Sequence, residues 1–189
     1  MKLLRVFISS VQKELEPERL TLFALLTTNP VLKQHVEPVL FENLPPPSRP
    51  GKKPYLDTLK TCQVYILMID REYAPEKVKK SPSHDEYEMA RSMGIPSLTM
   101  VKRENDASRD PRVQAFLNQI QDDGFTYKRF IDRIDLQKEV AAWLVQLLKD
   151  EWGIVSGHHE EESGEETIEA ASTFEAGQQN ILTQDNLHL

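Results

Sequence analysis

The stretch 64-VYILMI-69 carries no charge and no helix or turn signal, and its reading decides the fold. A run this short and this apolar is expected of a strand covered on both faces, the situation at the centre of a parallel sheet. Towards the N-terminus, 3-LLRVFIS-9 is a second apolar run rich in β-favouring residues. It ends on Ser9-Ser10, small hydroxyl residues suited to a tight strand-to-helix turn. Leu20, Phe23, Ala24, Leu26 and Thr27 then mark a helical face. Pro17 precedes them, so that helix either starts near Glu16 or is kinked there, because an interior proline costs about 3 kcal/mol. Residues 36–41 read as a strand, 43–54 (NLPPPSRPGKKP) as a proline-rich loop and 55–61 as a short helix.

Towards the C-terminus a polar loop, 71–82, leads into a helix over 83–93, ended by Gly94 in the usual place after a helix C-terminus. Residues 95–101 make a strand, 113–120 a helix and 126–130 a weak edge strand. Leu136, Val140, Trp143, Leu144, Leu147 and Leu148 mark a long amphipathic final helix. This alternation predicts an α/β fold: a five-stranded, doubly wound parallel sheet with helices on both faces and strand order 2-1-3-4-5.

Charge separates this domain from the C-terminal segment. Residues 151–189 contain nine acids and no lysine or arginine, whereas the other 150 residues carry 23 basic and 21 acidic side chains, a net of +2. The overall charge of −7 therefore describes the tail. Beyond Trp152 the composition offers too few apolar residues to offset the entropy of ordering, so the domains are expected to be 1–152, folded, and 153–189, a disordered acidic tail. A single cysteine, Cys62, excludes a disulfide framework and any multi-cysteine metal site, and fits a reducing compartment. The longest uncharged stretch, 21–32, is too short and too polar to span a bilayer, and Lys13 and Glu14 interrupt any secretory signal. No membrane association and a cytoplasmic location are expected.

In an open parallel sheet, ligands bind at the carboxyl ends of the strands where the strand order reverses. That rule brings Ser9 and Ser10 from the first strand and Asp70 and Arg71 from the third to one edge. The helix beginning at Ser83 offers its N–H groups there as an anion site. Basic residues gather in the same loops (Arg49, Lys52 and Lys53; Arg71, Lys77, Lys79 and Lys80; Lys102, Arg103 and Arg109). Acids including Glu72, Glu76, Glu104 and Asp106 share those loops, so a mixed solvated rim competes with an anion-steering one. Nucleic acid is disfavoured as a partner, because no aromatics are interleaved with these lysines.

The tetrapeptide Ser83-His84-Asp85-Glu86 has two readings. Spacing favours a capping box, with Ser83 and Glu86 each satisfying the other's backbone N–H. Chemically, Glu86 is a carboxylate at the ligand edge, able to bond a ribose or attack an anomeric carbon. His158 and His159 lack further ligands at sensible spacing, so no metal site is expected, and Cys62 reads as a buried small hydrophobe. No P-loop or dinucleotide fingerprint occurs.

Val6-Phe7-Ile8-Ser9-Ser10, Glu14-Leu15, Glu18-Arg19, Cys62 before the apolar run, and Ser83-x-x-Glu86-Tyr87 together resemble the bacterial domain of unknown function 4062, over residues 1–130. That family is similar to TIR domains and nucleoside 2-deoxyribosyltransferases. The resemblance implies a flavodoxin-like, TIR-like sheet with a catalytic glutamate at a helix start, which only Glu86 matches. It departs from the pattern at Tyr73-Ala74-Pro75, where the family shows Tyr-Gly, and at Pro17. What it implies is a signalling or bacterial-defence module with Glu86 catalytic, and joined to the switch-point rule it makes Ser9, Ser10, Asp70, Arg71, Ser83 and Tyr87 the residues expected to bind a nucleotide or nucleoside. No cofactor is required. NAD or a nucleotide would be ligand or substrate, and an N-glycosidic bond hydrolase or transferase the activity if the module is an enzyme. The alternative is a non-catalytic protein–protein interaction module, self-associating or docking a partner, of the kind the family places N-terminal to an ATP-binding or effector domain.

Overall fold

Strands and helices alternate along the chain: β1 (Leu4–Ser9), α1 (Glu16–Thr28), β2 (Val36–Val39), α2 (Pro54–Leu59), β3 (Val64–Ile69), α3 (Pro82–Ser92), β4 (Ser97–Lys102), α4 (Pro111–Asp122), β5 (Tyr127–Phe130) and α5 (Arg133–Trp152). These bounds come from a computed structural model, which describes residues 2–43, 53–103 and 106–154. The five strands are all parallel and lie in the order β2-β1-β3-β4-β5, the flavodoxin-like arrangement expected from the sequence. β3 sits at the centre, with Ile66 in register with Ile8 on one side and Leu98 on the other, and all six of its residues are buried.

Period-two alternation divides the strands between two helical layers. Val6 and Ile8 of β1, Val64, Ile66 and Met68 of β3, and Leu98 and Met100 of β4 face Leu22 and Leu26 of α1 and Leu136, Val140, Leu144 and Leu148 of α5. Phe7, Tyr65, Leu67, Ile69 and Val101 face the other way, onto Leu59 of α2, Tyr87 and Ala90 of α3 and Val113, Phe116, Leu117 and Ile120 of α4.

One boundary left open by the sequence is settled, and others shift for local reasons. α1 begins at Glu16 with Pro17 in its first turn, so the start alternative holds and no kink is needed. β2 stops at Val39, because the chain turns into a 3-10 turn, Phe41–Asn43, instead of extending to Phe41. α3 begins at Pro82 rather than Ser83. The outer strands carry their own breaks: β2 contains Pro38, and β5 exposes Lys128 and Arg129, with Lys128 Nζ paired to Glu139 at 2.6 Å. α5 ends at Trp152, and Gly153 takes the left-handed conformation (φ 64°) that closes it.

Among the described residues no helix is long and apolar enough to cross a membrane. Residues 155–189 of the acidic tail expected over 153–189, with His158 and His159, and Arg49, Lys52 and Glu104 of the expected rim lie outside the described residues.

Candidate functional site

At the carboxyl ends of β1 and β3 the sheet's winding reverses, and the helices that leave in opposite directions open a cleft of about 320 Å³. Its walls come from the end of β1 (Phe7, Ile8, Ser10), the turn after β2 (Phe41, Glu42), Tyr55 of α2, Tyr73 to Pro75 of the loop after β3, and the start of α3 (Pro82, Ser83, Glu86). Arg19 of α1 completes them. Phe41 and Tyr55 stand edge to face at 6.2 Å between ring centres.

The start of α3 overturns the capping box. Ser81, not Ser83, is the N-cap, its hydroxyl accepting the His84 N–H at 3.1 Å, and Pro82 occupies the first helical position. Glu86 therefore lies beyond the first turn and turns inward, only 7% exposed, where its Oε2 accepts a hydrogen bond from Ser9 Oγ. Ser81→Ala is expected to cost about 1 kcal/mol in urea unfolding. No loss at Ser81→Ala beside a clear one at Ser83→Ala would restore the box. The same geometry changes the anion site expected at this helix start. Pro82 has no N–H and the His84 N–H is spent on Ser81, so two first-turn donors are withheld from a ligand.

Burial pushes the Glu86 carboxyl up to about 7, against the opposing influence of the Ser9 hydrogen bond and the Arg19 charge. Its neighbour behaves differently. Burial raises Asp85 as well, but Lys53 (2.5 Å) and Tyr55 (3.1 Å) both donate to its Oδ2 and hold it below the usual carboxylate range. Adjacent carboxyls thus sit in opposite environments, one kept protonatable near neutrality and one kept charged, the kind of separation that acid–base sites use.

Arg19 is a site residue to which sequence reasoning assigned no role. Its Nη1 donates to the Ile8 carbonyl and to Ser10 Oγ, each at 3.1 Å, while Nε and Nη2 grip Glu42 at 2.8 and 2.6 Å. The side chain is buried, so this forked pair ties the end of β1 to the turn after β2. Tyr73 was equally unassigned. Its hydroxyl donates to His84 Nδ1 at 2.7 Å, because His84 Nε2 gives its proton to Gln119 Oε1 at 2.9 Å. The Arg112 guanidinium lies 5.0 Å from the centre of the Tyr73 ring, and Arg112 Nη2 also donates to the Ala74 carbonyl. Glu14 secures the start of the same loop by accepting the Arg71 and Glu72 N–H groups, both at 3.0 Å.

Of the residues expected at the site, Ser10, Ser83 and Glu86 line the cleft and Ser9 stands directly behind Glu86. Asp70, Arg71 and Tyr87 are placed elsewhere. Asp70 follows the strand parity of Ile66 and Met68, and its carboxylate faces Lys102 (3.9 Å) on the α1–α5 side, where Lys102 also meets Glu18 at 2.9 Å. Arg71 projects outward from its Glu14 anchor. Tyr87 donates to Asp123 Oδ2 at 3.0 Å and packs edge-on against Phe116, a contact between α3 and α4. Of the expected basic rim, Lys53, Lys80 and Lys102 are ion-paired and Arg109 is buried, which favours the mixed rim over a steering patch. Among the described residues no group of three or more His, Cys, Asp or Glu side chains could hold a metal ion.

A protein-family model described as a domain of unknown function, DUF4062, matches residues 5–145, which spans every element from β1 into α5. No curated protein matches the chain.

Proposed function

The chain belongs to the DUF4062 family, and from that premise and the cleft we propose a TIR-like signalling or defence module that binds a nucleoside or nucleotide, NAD included, and cleaves its N-glycosidic bond. One observation carries this reading. Glu86 lines a cleft with aromatic side chains in its walls, and its Oε2 accepts a hydrogen bond from Ser9 Oγ. A volume of about 320 Å³ suits a ligand of nucleoside size. Phe41, Tyr55 and Tyr73 offer surfaces for a planar base. The ionised Glu86 carboxylate would stabilise or attack the anomeric carbon as the carbon–nitrogen bond breaks and its electron pair leaves with the base. Water then completes the hydrolysis, its hydroxyl going to the sugar and its proton to the departing base.

The test is a melting-temperature screen against NAD, nucleosides and nucleotides, followed by chromatography for released base. A ligand at 100 times its dissociation constant stabilises by about 2.7 kcal/mol, well within such a screen. Because the reactive form of Glu86 is ionised, kcat/KM is expected to climb as pH rises through about 7. No shift with any of these compounds and no released base would end the reading.

A second reading, the non-catalytic interaction module, draws on Ile131 and Ile134, 60% and 77% exposed at the junction of β5 and α5. Isolated exposed side chains are ordinary, but two large ones this close suit self-association or a docked partner. Light scattering of the wild type against Ile134→Asp separates the cases. A monomer whose mass is indifferent to the substitution counts against self-association.

A further inference from the structure

Ser9 ends β1 on the face covered by α2, α3 and α4, and it is 1% exposed, too deep to meet a ligand itself. Its hydroxyl nevertheless spans 77 residues of sequence to reach Glu86 Oε2. We propose that Ser9 is a positioning residue for Glu86, holding Oε2 so that Oε1 is the carboxyl oxygen presented to the ligand. The proposal rests on Glu86 being the ligand-facing carboxylate of the reading above.

A carboxyl group on a flexible glutamate rotates about its terminal torsion with little preference, so a fixed donor at one oxygen is what selects an orientation. β1 is an inner strand flanked by β2 and β3, and its last residue moves only with the sheet. The reference point for Glu86 is therefore a sheet residue, in register with Leu67 of β3. Ser9 is also the donor that favours the charged form of Glu86 against the surrounding burial. The other groups around this carboxyl differ in kind. Tyr65 of β3 is fully buried, lies within hydrogen-bonding reach of the Ser9 hydroxyl and donates its own hydroxyl to the Ser83 carbonyl at 3.3 Å. Arg19 of α1 is engaged with Glu42 of the turn after β2, and Asp85 of α3 with Lys53 and Tyr55.

The experiment is an NMR titration of the Glu86 side-chain carboxyl carbon in the full chain without ligand, its signal identified by its loss in Glu86→Gln. Ser9→Ala removes a hydrogen bond to the charged form, and the midpoint is expected to move upward by about one pH unit. Ser9→Thr keeps a hydroxyl on a strand-compatible side chain and should return the midpoint to the wild-type value. Loosened packing alone would lower the melting temperature and leave the midpoint unchanged or, by admitting water, lower it. An unmoved or lowered midpoint in Ser9→Ala overturns the proposal, as does a midpoint raised equally in a folded Ser9→Thr. If Ser9→Thr does not fold, the Ser9→Ala midpoint decides alone. Because no ligand is present, failure to find turnover in the wild type would end the glycosidic reading without touching this result.

Discussion

Glu86→Gln is expected to be more stable than the wild type by about 3 kcal/mol at pH 8 and equal to it near pH 4.5, while losing any N-glycosidic turnover. The folded carboxyl titrates near 7 and the unfolded one near 4.5. Below the lower value both states hold the proton and nothing is lost. Between the two values the folded protein binds a proton that the unfolded chain releases, so stability falls as pH rises and the loss is complete above 7. Glutamine stays neutral throughout and escapes the loss. Its amide oxygen can still accept from Ser9 Oγ. Urea unfolding of both proteins from pH 4 to 8, with base release measured on the same samples, checks the two halves together. Parallel stability curves would mean that burial does not raise the Glu86 carboxyl in the folded protein. Turnover that survives the substitution would move the reaction to another residue.

The second large effect is expected at Glu42, whose removal as Glu42→Ala should cost about 3 kcal/mol by stranding the buried Arg19 guanidinium. The loss sits at the low end for buried pairs because Glu42 is 27% exposed and water can approach its side. Arg19→Met should cost less, since Glu42 can then turn towards solvent. The double variant should be more stable than the sum of the two single losses, and strict additivity would show that the pair is not coupled. Acid provides an internal check. Burial opposes ionisation of Glu42, but the Arg19 hydrogen bonds win and hold its carboxyl below the usual range. The contribution of the pair is therefore complete above the unfolded value of 4.5 and fades as pH falls through the folded one, taking the penalty of Glu42→Ala with it.

How much of this was legible varies with the physics of each element. β3 was read to the residue, because a strand buried on both faces leaves an unbroken apolar run, and its central position followed. The alternation of strands and helices pointed to a doubly wound parallel sheet, and the count of five strands to its common order 2-1-3-4-5. The α3 start was misread because two hydroxyl residues compete for the cap; Ser81-Pro82, with proline in the first helical position, was the available signal, and the attraction of Ser83-x-x-Glu86 concealed it. Asp70 was assigned by its edge alone. Its parity with Ile66 and Met68 would have put it on the α1–α5 side, opposite to Ser9. The Arg19–Glu42 fork joins residues 23 apart across a helix and a strand, and neither the spacing nor the residue types announce such a pair. Tyr73, His84 and Gln119 likewise meet only once α3 and α4 are side by side.

The outer strands bear on how copies of the molecule meet at high concentration. An unprotected sheet margin offers a row of free donors and acceptors to any extended chain, the usual seed of strand exchange and fibrillar growth. Pro38 deletes a donor from β2, and Lys128 and Arg129 would set like charges against each other if two β5 margins approached. Both flanks therefore resist templated growth. Whatever assemblies the protein forms by design are left to helices and loops, where contact can be made and undone without unravelling the sheet.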